Sequence, residues 1–184
     1  MPITWCTWST SSLGGARRRI FPGKTPGAGG FSLVEIMVVV VIAGILATFA
    51  IQEIRKIEIN ARSSRVANDL RIFANGFTAY AQQYGTLPPT ALPGAIPTGM
   101  APYLRSTDWT SPSSIGGYFF WINNITFGGT HYNGCILIFT YNGSPVTADT
   151  TQLLDLDKKI DDGNLTTGLF FVPSSSYAVY VVEK

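Results

Sequence analysis

Charge is scarce in this chain. Of its 184 residues only 13% are Asp, Glu, Lys or Arg, where soluble domains carry about 25%. The 13 basic and 11 acidic side chains nearly cancel, which argues against a basic nucleic-acid-binding protein and against an acidic disordered one. One histidine and two cysteines leave little for a histidine-based active site or a zinc centre. No G-x-S-x-G elbow, phosphate loop or metal-ligand spacing occurs, so no enzyme is indicated. At the same time, 19 glycines and 11 prolines exclude a bundle of membrane helices. The length fits one globular domain, or two small ones.

The apolar residues are concentrated near the start. Residues 31–51 read FSLVEIMVVVVIAGILATFAI, with Glu35 as the one charge. As a helix they span about 31 Å at about 1.5 Å per residue, close to the thickness of a bilayer core. Arg17, Arg18, Arg19 and Lys24 precede them, and no acid occurs before Glu35. This asymmetry puts the N-terminal end in the cytoplasm and the rest across the membrane.

Three readings fit such a segment: a secretory signal cut after Ala50, a plain membrane anchor, and a signal cut ahead of the apolar run. Two features favour the third. A carboxylate inside the run costs about 2.5–3.5 kcal/mol, and a discarded signal has no reason to carry it. The helical pattern also continues past Ala50. Ile54, Ile57, Ala61, Val66, Leu70, Phe73, Phe77, Tyr80 and Tyr84 form one stripe, with charged residues between them and Glu58 placed four before Arg62. No proline interrupts residues 31–87, and Gly85 and Pro88-Pro89 supply the stop. The spacing predicts one helix over 31–84, about 80 Å long, apolar all round at first and amphipathic later.

Gly30-Phe31-Ser32-Leu33-Val34-Glu35, behind basic residues and ahead of an apolar helix, resembles the processing site of type IV prepilins and type II secretion pseudopilins. The resemblance covers residue 30 to about residue 84. It implies a 30-residue leader removed after Gly30 by a prepilin peptidase on the cytoplasmic side, and methylation of the new amino terminus on Phe31. It implies a single-pass inner-membrane subunit with its C-terminal domain outside. An assembly platform with a cytoplasmic ATPase then draws subunits from the membrane lipid into a homo- or hetero-filament, whose core is the N-terminal helices. Glu35 corresponds to the carboxylate thought to pair with a neighbouring subunit's amino terminus. A buried carboxylate is tolerable when paired and costly alone, so such a pair selects the axial register. Taken alone, Glu35 also reads as a carboxylate snorkelling to the interface. The second hypothesis for the whole chain is a secreted or anchored binding domain or enzyme behind a merely similar signal.

Two departures stand out. Many pilins carry a proline near the end of the apolar segment, where this chain has Gln52. Gly44 is either a weak point in the helix or a site of close helix packing. The leader is also long, and its first part, MPITWCTWSTSSLGG, carries no functional pattern; a start codon farther in is expected.

Residues 85–184 are expected to form the globular part. Residues 87–115 hold six of the 11 prolines and read as a surface loop, with a short helix around 99–104 pinned by Tyr103 and Trp109. Strand signals follow at 117–122, 135–141, 168–172 and 177–182, the last two forming a hairpin across 173–176. Asp149 or Thr150 caps a short helix with the face Leu153, Leu156 and Ile160. The expected fold is α+β and pilin-like: a long N-terminal helix, transmembrane over 31–51, packed by its stripe 70–84 on an antiparallel sheet of about four strands.

Asp155, Asp157, Asp161, Asp162 and Asn164 form an acidic patch at the end of that short helix. Carboxylates there oppose the helix dipole. Turn and cap chemistry, with Gly163 in the left-handed cap, explains the patch; a bound calcium is the alternative, though the spacing is not that of an EF-hand. His131 reads as loop polarity, and Cys135 as a buried small hydrophobe left alone once Cys6 departs with the leader. Asn124, Asn142 and Asn164 begin glycosylation-like triplets, of which Asn142-Gly143 reads first as a turn. Losing residues 1–30 removes four of the 13 basic residues and none of the 11 acidic ones, so the net charge of +2 becomes −2. The basic balance belongs to the leader.

Overall fold

A 52-residue helix, α1 (Leu33–Tyr84), follows from the unbroken helical pattern and the lack of proline. The computed structural model describes residues 30–184. The proposed leader up to residue 29, with Arg17, Arg18, Arg19, Lys24 and Cys6, lies outside the described residues. Contacts divide the chain into two units at Ala43/Gly44.

In the first unit, every described residue from Gly30 to Ala43 is exposed. The helix there shows Leu33, Val34, Ile36, Met37 and Val38 to the surroundings at half or more of their area. The N-terminal part of α1 is long and apolar enough to cross a membrane.

The second unit, Gly44–Lys184, holds the core. Its further elements are α2 (Ser106–Thr110), β1 (Tyr118–Phe127), β2 (Thr130–Phe139), α3 (Thr150–Ile160), β3 (Phe170–Ser174) and β4 (Tyr177–Glu183). The strands form one antiparallel sheet in the order β1-β2-β4-β3. From α1, Val66, Ala67, Leu70, Phe73 and Phe77 are buried among Phe119, Trp121, Ile136, Ile138, Phe170 and Ala178. These are alternate residues on their strands, as one covered sheet face requires. Ser63 and Gly76 complete the buried stripe. At Gly76 a Cβ would stand 2.8 Å from the Tyr103 carbonyl oxygen, so only glycine lets the loop approach that closely. The buried stripe is shorter than the apolar pattern: Ile54, Ile57 and Tyr84 are exposed.

The proline-rich stretch is more than a surface loop. Met100, Leu104, Trp109 and Ile115 are core residues. Prolines deny the backbone a regular ladder without hindering side-chain burial. The helix expected at 99–104 is a single turn, closed from the Leu104 N–H to the Met100 carbonyl, and the helical segment is α2. Trp109 anchors the loop by donating Nε1–H to the Ala95 carbonyl at 2.8 Å, and Trp121 donates to Pro88 at 2.9 Å.

The first two strands are longer than their sequence signals. β1 starts at Tyr118, because Gly117 has φ +72°, and runs on through Asn123 and Asn124. It turns at Gly128-Gly129, with φ values of 54° and 82°. Two consecutive positive φ angles match the right-handed twist of a two-residue hairpin. His131 therefore lies in β2, opposite Thr126, and not in a loop. Pro173 lies within β3 and not in the hairpin turn. β3 is the sheet edge, where a missing N–H costs no ladder bond.

On the face away from α1 a second cluster forms from Cys135, Leu137, Phe171, Val179 and Val181. The tip of the β1-β2 hairpin folds over it, bringing the Phe127 ring 5.7 Å from Phe171. Burial pushes the Cys135 thiol up to about 12, so the group stays neutral among apolar neighbours, as a small hydrophobe would.

Candidate functional sites: the N-terminal segment and an acidic loop

Gly30, Phe31 and Ser32 precede the helix, and all three are exposed. Phe31 shows 76% of its area and Leu33 83%. Nothing described lies within 4 Å of the position a Gly30 Cβ would take. The described chain therefore gives no packing reason for glycine here. The Ser32 carbonyl accepts the first helical bonds, from Glu35 N at 3.0 Å and Ile36 N at 3.2 Å. This makes Ser32 the N-cap residue and puts Glu35 in the first turn. Ser-x-x-Glu at that place is the spacing of a capping box, and the carboxylate meets the positive end of the helix dipole. This local role of Ser32 was legible in the sequence as a serine three residues before a glutamate. Gly44, within the same helix, also has nothing described within 4 Å of its would-be Cβ.

The acidic patch separates into parts. Asp149 caps α3, accepting from Thr151 N at 2.9 Å and Gln152 N at 3.4 Å. Asp155 pairs with Lys159 one turn on and stands apart from the others. The Asn164 side chain accepts from the Thr166 N–H and hydroxyl. Asp161 accepts from the Leu169 N–H. Asp162 accepts from Asn164 N at 2.8 Å and from the Thr167 hydroxyl at 3.0 Å. Asp157 is wholly buried; no donor meets its oxygens in good hydrogen-bond geometry, although the backbone N–H groups of Asn164 and Gly163 lie close enough to favour its charged form. Burial first, then the charges of Asp162 and Asp161, pushes its carboxyl up to about 6, with those two N–H groups opposing. One oxygen from each of Asp157, Asp161 and Asp162 lies within 4.8 Å of the other two. The burial of Asp157 had a sequence signal: with Leu153, Leu156 and Ile160 it completes an i, i+3, i+4, i+7 stripe.

Comparison with known proteins bears on the N-terminal segment and on the fold. Residues 26–51 match the family model described as the prokaryotic N-terminal methylation motif. Among solved structures, the chain is similar to the major type IV pilin PilA1 from Clostridium difficile. The likeness has 17% sequence identity and a TM-score of 0.50, and covers 68% of this chain and 97% of that one. At that identity it speaks for the fold. A search of curated proteins finds no match. A prepilin-type N-terminal motif thus leads into a pilin fold.

Proposed function

We propose that the chain is made as a prepilin, cut after Gly30 by a prepilin peptidase at the cytoplasmic face, and methylated on Phe31. The mature subunit is held in the inner membrane by residues 31–51 with its C-terminal domain outside. An assembly platform and its ATPase then move it into a pilus or pseudopilus. The observation that carries this reading is the exposure of α1 from Leu33 to Ile51: every residue there is exposed, and Glu35 is the single charge. Leaving that surface in water costs roughly 25 cal/mol for each Å² of apolar area, so it calls for lipid or for neighbouring copies of the same helix.

In that environment an unpaired Glu35 carboxylate is costly, and the Phe31 ammonium of a neighbouring subunit would neutralise it. Recovery of the chain tests the proposal. In cells with the peptidase and platform it is expected in sheared filaments or in a membrane-associated pseudopilus. In cells lacking the peptidase it is expected to stay in the membrane at its uncut length. Recovery as a free secreted protein in both would contradict the proposal. A deletion strain separates the two kinds of filament: lost exoprotein secretion indicates a pseudopilus; lost twitching, adhesion or DNA uptake indicates a pilus.

A further inference from the structure

Just past its apolar run, α1 turns basic where it borders α3. Within the unit Gly44–Lys184 every residue from Gly44 to Glu58 is exposed. Gln52, Arg55, Lys56 and Ile59 line one side of a cleft of about 500 Å³, and Leu154 and Lys158 of α3 line the other. Among the described residues, no carboxylate lies within salt-bridge distance of Arg55, Lys56 or Lys158. The one acid that lines the cleft, Asp155, is held by Lys159 at 2.5 Å. Glu58 is held by Arg62, and Glu53 does not line the cleft. The cleft thus presents three unpaired cations beside the half-buried apolar side chains of Ile59 and Leu154.

Its place along α1 narrows what would fill it. Arg55 and Lys56 stand four and five residues past Ile51, about 6–8 Å along the axis at about 1.5 Å per residue. The headgroup layer on each side of a bilayer core is about 5–8 Å deep. A run that leaves the hydrocarbon at Ile51 therefore brings both cations level with lipid phosphates. Long basic side chains suit that layer, since their stems lie along apolar surface while the charge stays in polar surroundings. The exposed apolar residues 44–51 lead directly up to the cleft. An acidic peptide would answer the cations alone; a lipid answers the cations and the apolar surface together.

We propose that this cleft holds the phosphate of an anionic phospholipid of the outer leaflet, a site that rests on the membrane span proposed above. Arg55 offers a planar fork to the phosphate oxygens, and Lys56 and Lys158 add point charges. The acyl chains would lie along residues 44–51. Because Lys158 belongs to α3, the bound lipid would fasten the C-terminal unit to the membrane surface, and it would be shed when the subunit leaves the membrane for a filament.

Native mass spectrometry of the full chain in detergent micelles, given phosphatidylglycerol or phosphatidylcholine, tests this. One phosphatidylglycerol is expected to stay bound per chain under conditions that strip phosphatidylcholine. Lys158→Gln is expected to weaken its retention about fivefold, the effect of one basic group at an anionic lipid surface, and Arg55→Gln combined with Lys158→Gln at least about tenfold. Arg62→Gln, whose charge already meets Glu58, is expected to leave retention unchanged. All of these side chains are exposed, so the variants should melt with the parent and the retention reads the cleft. A chain that needs detergent yet keeps both lipids equally, or keeps phosphatidylglycerol regardless of Lys158→Gln, would overturn the site alone. So would inorganic phosphate bound as tightly as the lipid, or a lipid-free dimer that the same variants dissociate. A chain that stays in solution once detergent is removed would overturn the membrane span and the site together.

Discussion

Phe77 lies flat against Trp121, ring centroids 3.7 Å apart and planes within 12°. The pair joins α1 to the first strand of the sheet. Phe73 continues the seam, meeting Trp109 edge-on at 5.0 Å and Phe119 at 4.9 Å. Phe77→Ala is expected to destabilise the C-terminal unit by about 3–5 kcal/mol through lost burial and a residual cavity. Thermal or chemical denaturation of the full chain in detergent, followed by tryptophan fluorescence, measures this. A change below about 1 kcal/mol would mean the seam is not the core's centre.

Glu35→Leu is expected to leave membrane insertion and folding of the C-terminal unit intact while filament yield falls at least tenfold. Removing a charge from the apolar segment favours insertion, so a loss of assembly cannot be traced to a loss of the anchor. Sheared-filament yield against membrane-fraction abundance is the readout. Normal yield would assign Glu35 to the capping-box role with Ser32 alone.

Gly44→Ala should raise local helix stability by about 1 kcal/mol and meet no clash within the described chain. If the glycine serves close packing between helices or melting during assembly, filament yield falls while the subunit's melting temperature holds or rises. An unchanged yield would leave Gly44 without a role in assembly.

Asp69 gives a prediction in pH. Burial first, and the nearby Asp108 charge second, raise its carboxyl above 3.8, with Arg65 opposing. A raised folded-state value means that stability is lost as pH climbs from about 3.8 through the folded value, because folding then disfavours the ionised form. Asp69→Asn removes that loss. The variant should match the parent near pH 3.5 and equal or exceed it in stability at pH 7, as melts across that range would show. A variant less stable at pH 7 than at pH 3.5, relative to the parent, would contradict the assignment.

The long helix was legible because its signal is long and one-sided: apolar residues recur every three or four positions, and proline waits until Pro88. The four strands were legible where β-branched and aromatic residues run together, as in CILIFTY. They were not legible at their ends. Asn123 and Gly134 are poor strand formers, and their pairing in the hairpin overrides that preference, while Asn124 keeps a left-handed φ of 54° inside the strand. The core residues of the loop were hidden because Pro97 and Pro102 read as surface punctuation while Met100 and Leu104 between and beyond them are buried. In the acidic patch, counting carboxylates along the chain grouped Asp155 with Asp157. The α3 geometry separates them, turning one towards Lys159 and burying the other. Helical phase, and not composition, carried that information.

The whole assembly route rests on processing ahead of the apolar segment. Mass spectrometry of the mature N-terminal peptide, taken from the membrane or filament fraction, tests it most directly. The predicted result is a peptide that begins at Phe31 and carries one added methyl group on its amino nitrogen. A mature chain that begins at Ile51, with residues 31–50 lost, would contradict it.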